Sequence, residues 1–204
     1  MEKNRLEAFS DGVLAIIITI MVLELKIPET NDLSLKGLLP VLPKFLSYIL
    51  SFVYVGIYWN NHHHLLQCCQ KVKGTVLWAN LHLLFWLSLL PLTTAWAGEN
   101  HLAPVPLALY GFVLLMSAIS WVILLKCLLK ANESNKMLSK AVENRTLKEK
   151  ISPFLYIAGI ISSFFLPWLA IAFYATTAVV WIVPDKRIER AFKEGKNAGT
   201  IANK

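Results

Sequence analysis

Charged side chains beside a long apolar run are the first candidates for a functional site. A charged segment from Arg5 to Asp11 leads directly into an apolar run that continues to Leu23 and is interrupted only by Thr19. Charged groups close to membrane depth are costly, so such residues mark a functional site by default. The two are six positions apart, about 240° around a helix, and therefore each needs a partner from another segment. The alternative is an interfacial position, with both side chains reaching into the headgroups.

A second set of polar side chains follows the end of another apolar stretch and the start of a third. Its members are Asn60, Asn61, His62, His63, His64, Cys68, Cys69 and Asn80. Metal binding is disfavoured, because consecutive histidines point in different directions from a helix and adjacent cysteines rarely hold one tetrahedral ion. The asparagines and histidines are instead candidate partners for Arg5 and Asp11.

Signatures of enzymes are missing from this sequence. It contains no HExxH, no GxSxG and no glycine-rich phosphate loop, which are the patterns of metalloproteases, hydrolases and nucleotide-binding enzymes. We therefore expect no enzymatic activity and no cofactor.

The composition indicates an all-α membrane protein with several spans. Apolar residues make up 56% of the 204 residues and charged residues 16%, against about 45–50% and 25% in soluble domains. Spans of about 20 residues fill such a chain and leave no room for a soluble catalytic domain. The odd cysteine count, Cys68, Cys69 and Cys127, predicts free thiols.

Six apolar segments predict six transmembrane helices in a single domain over residues 1–204. Their approximate bounds are 6–26, 44–66, 76–97, 105–129, 150–165 and 168–184. Pro91 predicts a kink near the end of the third span, and Leu166-Pro167-Trp168 predicts a tight turn between the last two. The segment from Lys186 to Lys196 has the pattern of an amphipathic helix on the membrane surface.

The distribution of basic residues predicts the orientation. Of the 20 lysines and arginines, only Lys26, Lys36 and Lys44 fall on one side, and the other 17 fall on the side of both termini. By the positive-inside rule both termini are cytoplasmic, in the cell membrane. The net charge of +7 is then explained by topology, and binding to nucleic acid is not expected.

Several motifs resemble one known family. They are Arg5-x-x-x-Phe9-Ser10-Asp11 with the continuation to Leu25, Tyr58-Trp59-x-x-His62-His63, Leu77-Trp78-x-Asn80-Leu81, Leu90-Pro91 and Thr94. This set resembles the signature of the endosomal/lysosomal potassium channel family (the transmembrane protein 175 family), and the predicted topology resembles its prokaryotic six-span members. The motif at the start of the first span is the specific part, and the likeness covers nearly the whole chain.

The resemblance implies a homotetrameric potassium channel without a TVGYG filter, in which the first helices line the pore. Ile16 would form the narrowest ring, Ile20 and Leu23 further apolar rings, and Thr19 a polar layer. Helical periodicity independently places Ile16, Ile20 and Leu23 on one face. Potassium would be the permeant ion, and the partners would be further copies of the chain and membrane lipids.

The resemblance also implies a second group of residues, which connect the first span to the next two. These inter-helix residues are Arg5, Phe9, Ser10, Asp11, Trp59, His62, His63, Trp78 and Asn80.

Two other functions are compatible with the sequence. A small proton- or cation-coupled transporter would use Asp11 and the histidines as a proton relay, although no acidic residue lies deep within any predicted span. A membrane scaffold without transport is the third possibility. Glu24, at the outer end of the first span, would either concentrate cations or be a solvated interfacial carboxylate.

Overall fold

The structure, a computed structural model, describes residues 2–26, 34–135, 138–139 and 147–182. The elements are α1 (Lys3–Leu23), a 3-10 helix (Leu35–Val41), α2 (Leu42–Gln67), α3 (Gly74–Ser88), α4 (Leu90–Glu99), α5 (Pro104–Ala131), α6 (Leu147–Ser162) and α7 (Pro167–Ile182). The described ranges contain no strand, so the predicted all-α class is confirmed. The predicted surface helix from Lys186 to Lys196 lies outside the described residues.

Four helical runs are long and apolar enough to cross a membrane. They are Lys3–Leu23, Leu35–Gln67, Gly74–Glu99 and Pro104–Ala131. The remaining two helices, α6 and α7, have 16 residues each, about 24 Å of helix against a hydrocarbon core of about 30 Å. The six-span count therefore stays a prediction.

The third run is interrupted between α3 and α4, as Pro91 predicts. α3 ends at Ser88, and α4 begins at Leu90 with the proline in its first turn. Proline has no N–H to continue the hydrogen-bond ladder of the preceding turn. Leu89 separates the two helices and donates its N–H to the carbonyl oxygen of Trp86 at 3.2 Å, a 3-10-type bond.

α1 packs against α2, α3 and α4 with one side only. That side buries Leu6, Leu14, Ile17 and Met21, at helical spacing. Because almost the whole run after Asp11 is apolar, the buried side is set by packing and not by a polar boundary in the sequence. The opposite face of α1 is left uncovered by the rest of the chain.

The other half of the bundle is organised by Tyr174 of α7. Its ring is fully buried against Gly111 of α5 and Gly159 of α6, where an added Cβ would come within 2.5 Å of ring atoms. The backbone carbonyl of Tyr174 also accepts a 2.7 Å hydrogen bond from the hydroxyl of Tyr54 in α2. Two glycines thus make the space that lets α5, α6 and α7 approach each other around one aromatic ring.

We expect Gly159→Ala to lower the free energy of unfolding by about 1–3 kcal/mol, the usual cost of overpacking. The added methyl would lie 2.3 Å from Cε1 of Tyr174, whose ring is fully buried and also packs against Gly111. Thermal unfolding in detergent measures the change. Gly56→Ala is the matched control, because a Cβ at Gly56 meets no atom within 4 Å. Equal stability of the two variants would contradict this packing.

Candidate pore face and the contacts that orient it

The uncovered face of α1 carries the residues predicted for the pore. Ile16 is 57% exposed, Leu23 is 75% exposed, and Ile20 and Thr19 are also exposed. Isoleucine and leucine side chains at these levels of exposure leave a contiguous apolar stripe along the helix. Such a stripe marks a surface that other molecules, protein or lipid, cover.

Thr19 is the one polar side chain in this stripe. Its hydroxyl donates a 2.9 Å hydrogen bond to the carbonyl oxygen of Ile16. The donor is therefore satisfied within the helix, while the lone pairs of the hydroxyl oxygen remain available. An oxygen in this state can accept a hydrogen bond from water or approach a cation.

A groove of about 480 Å³ continues the apolar face onto the neighbouring kink. It runs between α1 and the α3–α4 junction, where Ser88 and Pro91 form part of its wall, and Glu24 lies at the end distant from Arg5. The kink and the pore-candidate face thus belong to one continuous, uncovered surface.

At the other end of α1, three helices are joined by a chain of buried hydrogen bonds. Ser10 of α1 accepts from Nδ2 of Asn80 in α3 at 2.9 Å, and Oδ1 of Asn80 meets Nε2 of His62 in α2 at 2.8 Å. Ser10 also donates to the carbonyl oxygen of Leu6 at 2.8 Å. All three side chains are almost completely buried. We refer to Ser10, Asn80 and His62 as the buried triad.

The buried triad fixes the tautomer of His62. An amide oxygen only accepts, so Nε2 of His62 must carry the proton that it donates to Asn80. In the neutral ring Nδ1 is then an acceptor, and it is buried without a hydrogen-bond partner among the described residues. A second proton on Nδ1 would be a buried donor without an acceptor, which is costly, so the triad is built around a neutral imidazole.

Two further contacts join α1 to α2 beside the buried triad. Asp11 accepts a 3.1 Å hydrogen bond from the indole N–H of Trp59. The Glu7 carboxylate lies 2.8 Å from Nδ1 of His63, and the side-chain amide of Gln67 hydrogen-bonds to Nε2 of the same ring. Glu7 and Gln67 were not among the residues predicted to form contacts between helices. The signal was present, since Glu7 precedes Asp11 by four residues and so shares its helix face.

Three predicted inter-helix residues are not brought into these contacts. Arg5, Phe9 and Trp78 are exposed, and Trp78 is 76% exposed. Within the described part of the chain, neither the Arg5 guanidinium nor the Trp78 indole makes a hydrogen bond or ion pair. The inter-helix role of these three residues therefore stays a prediction that no hydrogen bond or ion pair within the described part of the chain supports.

The cysteines beside the histidines are structural. Cys68 and Cys69 are buried, and the Cys69 thiol donates to the carbonyl oxygen of Leu65 at 3.2 Å. Burial raises the pKa of Cys68 and raises that of Cys69 to about 12, so both are neutral thiols at physiological pH. Among the described residues no three potential ligands gather around a metal position.

Side chains that follow the end of α5 hydrogen-bond to the α2–α3 connection, which contains these cysteines. Asn132 accepts from the backbone N–H of Gln70 and of Lys71 and donates to the carbonyl of Lys71. Asn135 donates to the carbonyl of Cys68 at 2.9 Å. These hydrogen bonds attach the α2–α3 connection to the end of α5. They therefore restrain the end of α2, near His62, and the start of α3, near Asn80.

Together the membrane-length apolar helices, the one-sided packing of α1 and the polar contacts at its start define a polytopic helical membrane protein. The family described as endosomal/lysosomal potassium channel TMEM175 matches residues 5–91. That range contains the uncovered face, the buried triad and the kink. The chain belongs to the TMEM175 family of ion channels.

Relatives of known description extend the match to nearly the full chain. A potassium channel of Chryseobacterium sp. (strain P1-3) is 57% identical over 95% of this chain and 100% of its own length. A potassium channel of Chamaesiphon minutus is 30% identical over 83% of this chain and 88% of its own. The human endosomal/lysosomal proton channel TMEM175 is 33% identical, with 48% of this chain matching 22% of that protein.

A solved structure shares the fold. The crystal structure of a lysosomal potassium-selective channel TMEM175 homologue from Chamaesiphon minutus superposes with a TM-score of 0.75 at 28% identity. The match covers 90% of this chain and 98% of that one. The arrangement of helices described above is therefore shared with that TMEM175 homologue.

The buried triad predicts that Asn80→Ala destabilises the bundle by about 1–3 kcal/mol, because it leaves the His62 N–H buried without an acceptor. Thermal unfolding in detergent tests this. Asn60→Ala is the control, since Asn60 is only half-buried and its side chain makes no hydrogen bond to another described residue. Equal melting temperatures for the two variants would show that the triad contributes nothing to stability.

Proposed function

We propose that this protein is a potassium-selective channel formed by four copies, with the uncovered face of α1 lining the pore. The observation that carries the proposal is the exposure of Ile16, Ile20 and Leu23 on the helix whose other side is fully packed. One chain cannot enclose a pore with a single helix, whereas rotational symmetry brings the same face of several copies to one axis. The relatives named above as potassium channels support potassium as the permeant ion.

In this arrangement the apolar rings act as the gate. A hydrated ion that reaches Ile16 or Leu23 must lose water without receiving oxygen ligands in return, so a narrow apolar ring closes by dewetting. Opening requires α1 to rotate or move outward. The contacts of Ser10, Asp11 and Glu7 with α2 and α3 make the start of α1 the fixed end of that movement.

Selectivity follows from partial dehydration in the same region. Potassium holds its water less tightly than sodium and therefore loses it at lower cost. The Thr19 oxygen, with its proton engaged by the Ile16 carbonyl, offers lone pairs just beside the constriction. Glu24 at the other end of the groove would concentrate cations at the mouth, which we place outside the cell. Both termini are then cytoplasmic in the cell membrane.

The arrangement favours a channel over a proton-coupled transporter. His62 lies near enough to Asp11 for a charge interaction, but Asp11 is hydrogen-bonded to the indole of Trp59, which does not titrate, and His62 is hydrogen-bonded to Asn80. The contact between Glu7 and His63 lies at the start of α1 and not along the uncovered face.

Ile16→Asn should raise single-channel conductance and reduce potassium preference several-fold, because the amide wets the constriction. Reversal potentials under potassium–sodium gradients in planar bilayers measure the preference. Ile157→Asn, at an exposed position of α6, is the matched control and should leave both quantities unchanged. An unaltered ion preference in Ile16→Asn would remove Ile16 from the selectivity mechanism.

Thr19→Val should lower the preference for potassium, since it removes the oxygen while keeping the shape of the side chain. Thr19→Ser keeps the oxygen and should preserve the wild-type reversal potential. Identical reversal potentials in the valine and serine variants would show that the hydroxyl does not contribute.

A further inference from the structure

A second cavity, of about 300 Å³, lies between α2, α5, α6 and α7. It uses a different face of α2 from the residues that contact α1. Five aromatic side chains form much of its wall, and we call it the aromatic pocket. They are Tyr54, Tyr58, Trp121, Tyr156 and Trp181. Its volume is at the lower end of the range for ligand pockets, about 300–1,000 Å³.

The aromatic pocket opens on the outer surface of the bundle. Ile119 and Ile123 line it and are 40% and 39% exposed, so its rim is apolar on the side that faces a membrane. The interior is held open by ring contacts, with the centroids of Tyr58 and Trp121 6.2 Å apart in an edge-to-face arrangement. An occupant with an apolar body can therefore enter from the hydrocarbon region.

Two largely buried side chains of the aromatic pocket can each make a further hydrogen bond. Asn61 is 7% exposed and donates to the carbonyl oxygen of Ile57 at 2.8 Å, which leaves its amide oxygen without a donor. Tyr58 is 9% exposed, and its hydroxyl has no hydrogen-bond partner among the described residues. The two are three positions apart on α2, so they point to the same part of the pocket. A molecule in the pocket can therefore reach both groups and supply a hydrogen-bond partner to each.

The Ser152 and Tyr54 side chains, which also line the pocket, already have hydrogen-bond partners within the chain. Ser152 accepts from the indole N–H of Trp181 at 2.8 Å and donates to the carbonyl of Lys148 at 2.7 Å. Lys126 and Glu149 also line the pocket and have opposite charges, so the pair selects neither an anion nor a cation.

A hydroxyl group complements these two groups. It donates to the Asn61 oxygen and accepts from the Tyr58 hydroxyl, whereas a carboxylate has no proton to donate and an ammonium group has no lone pair to accept. We propose that the aromatic pocket binds an uncharged amphiphile with an aliphatic body and a hydroxyl head. A free long-chain alcohol and the glycerol hydroxyl of an acylglycerol share this chemistry.

An occupant would act on the same turn of α2 that holds α1. Tyr58 and Asn61 are the immediate neighbours of Trp59 and His62, which contact Asp11 and Asn80. Binding should therefore stabilise the α1–α2 contact and change ion flux. The effect on flux rests on the proposed channel function, but binding itself does not.

Quenching of tryptophan fluorescence by brominated amphiphiles tests the binding, because Trp121 and Trp181 line the pocket. The probes are bromoundecanol, bromoundecanoylglycerol and bromoundecanoate, added to the protein in phosphatidylcholine nanodiscs. We expect saturable quenching by one or both hydroxyl probes and only linear, partition-driven quenching by the carboxylate. The better hydroxyl probe identifies the source of the ligand, and saturable binding of all three with equal affinity would overturn the proposal.

Two variants test separately the hydrogen bond to the occupant's hydroxyl head and the volume of the aromatic pocket. Tyr58→Phe keeps the ring and removes the hydroxyl, and we expect it to weaken bromoundecanol binding about tenfold, or about 1.4 kcal/mol. Ala118→Phe fills the pocket and should abolish saturable quenching, whereas Ala172→Phe, on an exposed position of α7, should not. Unchanged binding in both Tyr58→Phe and Ala118→Phe would overturn the assignment.

Potassium flux in proteoliposomes distinguishes failure of this proposal from failure of the channel. Saturable binding without wild-type flux would refute the channel function and leave the pocket assigned. Normal flux without saturable binding of any hydroxyl probe would refute the pocket and leave the channel untouched.

Discussion

The buried contact of Asn80 with both Ser10 and His62 is the interaction on which the rest of the structure depends. Its amide has a donor for one neighbour and an acceptor for the other, so a single side chain satisfies polar groups from two other helices. Burial makes these bonds costly to break, because each freed group would remain without water. The rotation of α1 about its own axis is fixed as a result, and with it the face that α1 leaves uncovered.

The uncovered face of α1 cannot be recognised within one chain by its hydrophobicity. Leu14, Ile17 and Met21 are buried while Ile16, Ile20 and Leu23 are not, although all are of similar hydrophobicity. In lipid an apolar helix gains little from burial against other apolar helices, so polar contacts and close packing decide the arrangement. The contacts of Glu7, Ser10 and Asp11 at one end therefore orient a stripe that lies farther along the helix.

Much of this could be predicted from the sequence, for identifiable reasons. Composition is enough for the all-α membrane class, and proline chemistry is enough for the break before Pro91. The pore-candidate face was predicted from periodicity and family resemblance, since an all-apolar run has no polar side to mark it. The pairs of side chains that contact each other between helices were harder to predict. Membership in a motif does not show which way a side chain points, so the inter-helix role of Arg5 and Trp78 stays a prediction, and Glu7 was missed. Nothing in the spacing of Gly111, Gly159 and Tyr174 predicted that they meet, because they come from three separate helices.

The most direct test of the account is whether α1 lines the ion pathway. Leu23→Cys, at the most accessible ring, can be modified from outside with a water-soluble, positively charged thiol reagent while potassium current is recorded. Cys68 and Cys69 are buried, and the half-buried Cys127 is present in both variants. Phe165→Cys, exposed on the turn before α7, is the matched control. The account predicts that modification of Leu23→Cys blocks the current and modification of Phe165→Cys does not. Full modification of Leu23→Cys, shown by mass, with undiminished current would contradict it.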